Sequence, residues 1–204
     1  MIKDVVFDMD QVLIRFDREE IIGRLGLGPE DEKTLMREVF LSKEWELMDW
    51  GELTDEQAAE SICARLPARL HEPVRRIVLH WDEPIEPMPG MEELVAELKE
   101  AGYGVYLLST ASHRQPVYWP RVPGAELFDG GVVSAGIGYV KPERQMYETL
   151  LERYGLKAEE CFFIDDTPLN VVGAMRCGMD GAIFHGDMAE LRLHMRESGI
   201  KVRA

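Results

Sequence analysis

The six residues Val5-Val6-Phe7-Asp8-Met9-Asp10 constrain this chain more than any other stretch. Three apolar residues, two of them β-branched, run directly into two carboxylates one residue apart. Such an uninterrupted apolar run fits a strand buried on both faces, as in a parallel sheet. Acids at its end stand at the carboxyl edge of the sheet, where open α/β folds place their ligand crevice. In a continuing strand Asp8 and Asp10 point to one face. Like charges that close raise each other's pKa unless a cation sits between them. The pair therefore asks for a metal, for one protonated acid, or for both at different steps. A strand that merely runs into a solvated turn would need neither.

The remaining chain decides between these readings. Little strand signal occurs between Asp17 and Pro84, and the segment reads as several short helices. Thr54-Asp55-Glu56-Gln57 has capping-box spacing. The helix that it opens carries Ala58, Ile62 and Leu66 on one face, and Pro67 stops it. Pro73 is expected to open the next helix. Pro84, Pro87 and Pro89 form a stiff connection and a domain boundary. From Gly90 onward helices alternate with strands. Met91, Leu94, Val95 and Leu98 form a helical stripe that Gly102 terminates. Val105-Tyr106-Leu107-Leu108 is a second buried strand and ends at Ser109-Thr110. Val132-Val133 is a short strand after a loop rich in Pro and Gly. Pro142 is expected to open a helix carrying Met146, Tyr147 and Leu150. Cys161-Phe162-Phe163-Ile164 is a third buried strand and ends at Asp165-Asp166. Thr167 caps a helix whose first residue is Pro168. Ala182-Ile183-Phe184 is the last strand, and Asp187 and Glu190 begin the last helix. Buried runs separated by helices predict an α/β fold with a doubly wound parallel sheet. The expected organisation is a core of residues 1–15 and 85–204 with a helical insertion at 16–84.

Composition excludes several partners. The net charge of −15 over 204 residues argues against nucleic acid, whose phosphates need clustered Lys and Arg. No apolar run approaches the ~18 residues of a membrane span, and no signal peptide opens the chain. The three cysteines, Cys63, Cys161 and Cys177, lack CxxC spacing and read as buried thiols in a reducing cytoplasm. An anionic substrate would have to meet local positive charge from a cation, a lysine or helix N-termini.

Three strand ends converge on one crevice: Asp8 with Asp10, Ser109 with Thr110, and Asp165 with Asp166. Four carboxylates in one place call for compensation, and with oxygen-only ligands Mg²⁺ is the natural counterion. Ser109 and Thr110 are expected to open a helix and cradle phosphate. Lys141 can supply a fixed positive charge. In this arrangement the chain resembles the haloacid dehalogenase superfamily of phosphatases and phosphomutases. Asp8-Met9-Asp10 with Val12 is similar to its first motif and Leu108-Ser109-Thr110 to the second. Lys141-Pro142-Glu143 is similar to the third, and Phe163-Ile164-Asp165-Asp166 with Asn170 to the fourth. The helical segment resembles the cap that some members insert after the first motif. Trp50-Gly51-Glu52-Leu53-Thr54, Pro89-Gly90-Met91 and Tyr118-Trp119-Pro120 further resemble the branch containing bacterial α-D-glucose-1-phosphate phosphatases.

The resemblance implies roles. Asp8 attacks phosphorus and forms an aspartyl-phosphate. Asp10 protonates the leaving oxygen, then activates water, and its backbone carbonyl joins Asp8, Asp165 and Asp166 at the metal. Ser109, Thr110 and Lys141 bind the transferring phosphoryl group. The implied activity is a Mg²⁺-dependent phosphatase for a small phosphorylated metabolite, plausibly a sugar phosphate. Alternatives are a phosphomutase of the same superfamily and a non-enzymatic regulatory protein. A small-molecule phosphate ester is the expected partner, and a monomer or weak homodimer the expected state. Two residues depart from the pattern: Gln11 stands where Gly is common, and Thr110 where close relatives often have Asn. Trp45, Trp50 and Trp81 are assigned to the interior of the cap, and His113 to solvent.

Overall fold

A computed structural model describes residues 1–203. Five parallel strands form one sheet in the order β3-β2-β1-β4-β5. They are β1 (Asp4–Phe7), β2 (Gly104–Ser109), β3 (Gly130–Val133), β4 (Cys161–Asp165) and β5 (Asp180–Ile183). β1 is central. Phe7 pairs with Leu107 on one side and with Ile164 on the other. The order reverses between β1 and β4, so the crevice at this switch point lies directly beyond Phe7 and Ile164. That register sets the first and fourth motifs side by side.

Alternation along the strands feeds two apolar layers. Val5 and Phe7 join Val105, Leu107, Phe162 and Ile164 on one face. Helices α6 (Met91–Glu100) and α10 (Met188–Glu197) cover it with Leu94, Val95, Leu98, Leu191 and Met195. Val6, Leu108, Val132 and Phe163 face the other way. There they meet Met146, Tyr147 and Leu150 of α8 (Arg144–Tyr154) and Ala174 of α9 (Pro168–Arg176). The expected stripe on α6 is buried in full.

The helical segment builds a separate apolar cluster. Its helices are α1 (Arg18–Gly23), α2 (Pro29–Leu35), α3 (Lys43–Asp49), α4 (Asp55–Ala64) and α5 (His71–His80). A π-helical turn, Met36–Phe40, extends α2. The capping box of Thr54 and Gln57 is formed as predicted. Ile22, Leu35, Val39, Met48, Ala58, Ile62, Val74 and Ile77 close the cluster. Trp81 packs against this cluster and the sheet layer alike. The two connections to the sheet run side by side. Ile14 bridges Pro87 in antiparallel fashion, Arg15 N donates to Glu86 O and Met88 N donates to Leu13 O.

Two local expectations are corrected. No helix opens at Ser109-Thr110. A loop follows β2 instead, and the next helix is the short α7 (Gln115–Tyr118). Pro116, Pro120 and Pro123 remove the amide donors that a longer helix would need. The helix after Lys141 starts at Arg144, with Glu143 at its N-cap, and Pro142 lies outside it. Among the described residues no helix is long and apolar enough to cross a membrane.

Candidate active site

The chain leaves β1 at Asp8, whose amide still donates to Ile164 O of β4 at 2.8 Å. Asp8 is thereby fixed beside the last residue of β4, Asp165. Asp8 Oδ1 accepts from the Met9 amide at 2.6 Å and meets Lys141 Nζ at 2.6 Å. Both contacts fall on Oδ1, so Oδ2 is left for other chemistry. Lys141 Nζ also reaches Asp165 Oδ2 at 2.7 Å. Asp165 is completely buried and accepts three further hydrogen bonds, from Thr167 N at 2.8 Å and from Asn170 Nδ2 at 3.0 and 3.1 Å. Asn170 comes from the first turn of α9, so the strand, the turn and the helix together lock this carboxylate.

Asp8, Asp165 and Asp166 each bring one carboxylate oxygen to within 4.8 Å of the others. Three hard oxygens at that separation, with one lysine as the only ammonium among them, fit a divalent cation. The carboxylate of Asp10 stands outside this group. Its Oδ1 is buried without a hydrogen-bond partner.

Burial governs the protonation of these groups. It pushes the Asp10 carboxyl up to about 7, and the charges of Asp166 and Asp165 add to the effect while Lys141 and Arg18 oppose it. The same desolvation raises Asp8, aided by Asp165 and Asp10 and opposed by Lys141. Burial alone would lower Lys141, but Asp8 and Asp165 outweigh it and hold the ammonium above its ordinary value. The result is a charged lysine shared by two acids beside a carboxyl that is half protonated near neutrality. A carboxylate oxygen free of contacts, a carboxyl that readily holds a proton and three oxygens placed for a cation thus lie within one crevice.

Gln11 turns the chain away from Asp10 with φ 59°, the left-handed conformation that glycine adopts at least cost. The side chain offsets part of that cost, since Gln11 Oε1 accepts from Phe16 N at 3.2 Å. Thr110 lines the cleft, and its Oγ1 accepts from the Lys141 amide at 3.2 Å. Ser109 lies one residue back, buried at the end of β2, and does not line the cleft. Ala111 and Ser112 line it instead.

The cleft has a volume of about 310 Å³ and its opposite wall belongs to the helical segment. Sequence reasoning missed the residues of this wall. Phe16, Arg18, Trp45, Met48, Asp49, Asp55 and Trp81 line the cleft that Asp8 and Asp10 also line. Trp45 and Trp81 therefore serve the cleft as well as the apolar cluster, which corrects their assignment to the cap interior alone. Trp50 is exposed, and Trp119 packs on Phe128 away from the cleft. His113 Nε2 lies 3.4 Å from Gly51 O and is exposed. No periodicity could have found Arg18 or Asp49, because each is an ordinary charged residue at one end of an amphipathic helix.

Several polar contacts hold the wall against the sheet. Ser112 Oγ donates to Asp55 Oδ1 at 2.7 Å, and Ser134 Oγ donates to Asp49 O at 2.6 Å. Asp82, fully buried just beyond α5, pairs with Arg114 at 2.7 Å and with Arg121.

Comparison with known proteins agrees with this architecture. The sequence profile of the haloacid dehalogenase-like hydrolases matches residues 2–178. A sesquiterpene phosphatase of Aspergillus oryzae is 34% identical over 104 residues, 48% of this chain and 50% of that protein. A glyceraldehyde 3-phosphate phosphatase of Methanothermobacter thermautotrophicus is 26% identical over 58% of this chain and 54% of its own length. The chain thus spans about half the length of the curated relatives it matches. A haloacid dehalogenase family enzyme from Bacteroides thetaiotaomicron, crystallised with magnesium and inorganic phosphate, superposes with a TM-score of 0.70 at 20% identity. That match covers 94% of this chain and 99% of the other.

Proposed function

Since the chain belongs to the haloacid dehalogenase-like hydrolases, we propose that it is a phosphatase acting on a small phosphate ester of the sugar-phosphate class. The observation that carries this reading is the pairing of Asp8 with Asp10. Asp8 offers a free Oδ2 beside a charged lysine, and Asp10 holds an unpartnered, easily protonated oxygen two residues on. Asp8 Oδ2 attacks phosphorus in line, and the ester oxygen takes the Asp10 proton as it leaves. Asp10, now ionised, removes a proton from the water that opens the aspartyl-phosphate. Lys141 and the Thr110 hydroxyl orient the phosphoryl oxygens, and Ser109 supports the end of β2 on which Thr110 sits. Positioning and charge neutralisation supply most of the rate.

Asp8, Asp165 and Asp166, with the backbone carbonyl of Asp10, would hold Mg²⁺. When bound, the ion neutralises charge on the phosphoryl group and on the surrounding acids. Carbon–halogen cleavage has no use for Asp10 as a proton donor or for the Asp8-Asp165-Asp166 oxygens, so these residues favour phosphoryl transfer over dehalogenation. Residues 16–84 act as a cap over a core of 1–15 and 85–204; the separate apolar cluster and the paired connections support that division. The relatives' names and the magnesium- and phosphate-bound Bacteroides structure point the same way.

Release of inorganic phosphate from a panel of sugar, aryl and acyl phosphates tests the proposal. Steady turnover with Mg²⁺ and no bisphosphate activator is expected, together with loss of activity in EDTA and in Asp8→Asn. Activity that survives EDTA, or that Asp8→Asn retains, would overturn it.

A further inference from the structure

The wall facing the catalytic acids carries two charged groups that phosphoryl transfer does not use. Arg18 holds its guanidinium 6.0 Å above the ring of Phe16 and 5.9 Å from that of Phe40. Among the described residues it makes no ion pair. A cation steadied by ring faces keeps its donors for another partner. Asp49 is the last residue of α3 and lines the cleft. Its backbone carbonyl accepts from Ser134, but among the described residues its carboxylate has no hydrogen bond and no ion pair. Burial drives that carboxyl up to about 7, with Asp10 and Asp55 adding to the rise and Arg18 opposing it. Asp49 is half-buried and open to the cleft, so its acceptor oxygens are available to a hydroxyl that enters there. Around these two groups stand ring faces. Phe16 lies 6.0 Å from Trp45 and 4.8 Å from Trp81, and all three line the cleft.

The geometry points to Asp49 and Arg18 as the residues that recognise the leaving group, and to a neutral polyhydroxylated carbon skeleton as that group. The inference rests on the phosphatase reading and deepens it. Hydroxyls can donate to Asp49 and accept from Arg18 at once, while the C–H face of the skeleton packs on Trp45 and Trp81. An aryl group would leave both charges without partners. An anionic group would meet Asp49 and Asp55, with Arg18 beside them and Lys141 already shared by Asp8 and Asp165. The volume of about 310 Å³ admits a phosphoryl group together with a single sugar ring.

The test compares kcat/KM for hexose and pentose monophosphates, p-nitrophenyl phosphate and phosphoglycerate in wild type, Asp49→Ala and Asp49→Asn. The wild type is expected to prefer sugar phosphates over phosphoglycerate. Asp49→Ala should lower the sugar-to-aryl ratio by about 10–100-fold, the usual cost of losing a charged hydrogen bond to substrate. It should also raise the phosphoglycerate-to-aryl ratio severalfold, because a repulsive charge is gone. A purely structural residue would not move the two ratios in opposite directions. Asp49→Asn keeps the shape and should show the same rise with a smaller fall, so it carries the test if the alanine variant does not fold. Unchanged ratios, or an equal loss on all three classes, overturn the assignment. Absence of turnover by the wild type on every ester overturns the phosphatase reading itself.

Discussion

Asp8 and Asp10 are neighbours in sequence with opposite fates at the site. Asp8 is gripped through one oxygen by Met9 N and Lys141, whereas Asp10 has a buried oxygen that nothing satisfies. General acid help should therefore depend on how badly the leaving group needs a proton. In Asp10→Asn, phosphoenzyme formation should slow far more with a sugar phosphate than with p-nitrophenyl phosphate, by up to ~10²–10⁴-fold. Opening of the phosphoenzyme should slow for both. Rapid-quench kinetics with the aryl ester should then show a burst near one equivalent followed by a slow steady rate. Equal loss in the burst with both esters, and no trapped phosphoenzyme, would reduce Asp10 to a structural residue. Both acids were legible in the sequence because the apolar run before them marks a strand end, and the polar ends of two further buried strands made that end part of a crevice. Gln11 was legible as a departure from glycine, but its bond to Phe16 N was not, since nothing local predicts where a side-chain amide will find a donor.

At the scale of elements, the strands and their order of chemistry followed from four apolar runs and the short Val132-Val133 strand. The long gaps between motifs did not obscure them, because parallel strands converge at one edge whatever connects them. The helices of 16–84 were legible as helices through caps and prolines. Their orientation was not, because an amphipathic pattern states which face is buried and is silent on which end looks at the crevice. Arg18, Trp45 and Asp49 were therefore invisible. So was Asp82, a lone acid after α5 that proves to be wholly buried between Arg114 and Arg121. Removing Asp82 takes the charged hydrogen bonds from Arg114, which is largely buried, and from Arg121, which can turn to water, at a cost of about 1–3 kcal/mol. Asp82→Ala should destabilise by that order in urea unfolding and also weaken the hold of the helical segment on the loop after β2. A loss below ~1 kcal/mol would mean that the arginines find water instead.

Over the whole molecule, the site makes stability depend on pH in an unusual direction. Asp10 and Asp49 both rise from an ordinary 3.8 to about 7. A group whose pKa is higher in the folded chain binds its proton more tightly there. The stability that it adds is complete below about pH 4 and is lost as the pH climbs through about 7. The carboxylates that ion pairs lower, Glu38 and Glu97 among them, act in the opposite sense, and their contribution is lost as the pH falls through and below the ordinary carboxylate range. Between pH 5 and pH 8 the metal-free protein should therefore lose Tm, whereas many proteins hold steady there. Asp49→Asn should flatten the slope, and a slope identical to wild type in calorimetric scans would refute the shift assigned to Asp49.

The connections at Ile14 and Pro87 leave the sheet side by side in antiparallel fashion, bonded to each other before the helices begin. To the sheet, the seventy or so residues between them are equivalent to a hairpin loop of arbitrary size. Such a socket tolerates exchange. A helical segment from another protein of this architecture, joined at the same two residues, would inherit the acids and the lysine intact and bring its own wall. On the proposed function, chemistry and selectivity would be encoded in separable stretches of the chain, and selection could rewrite the second without renegotiating the first.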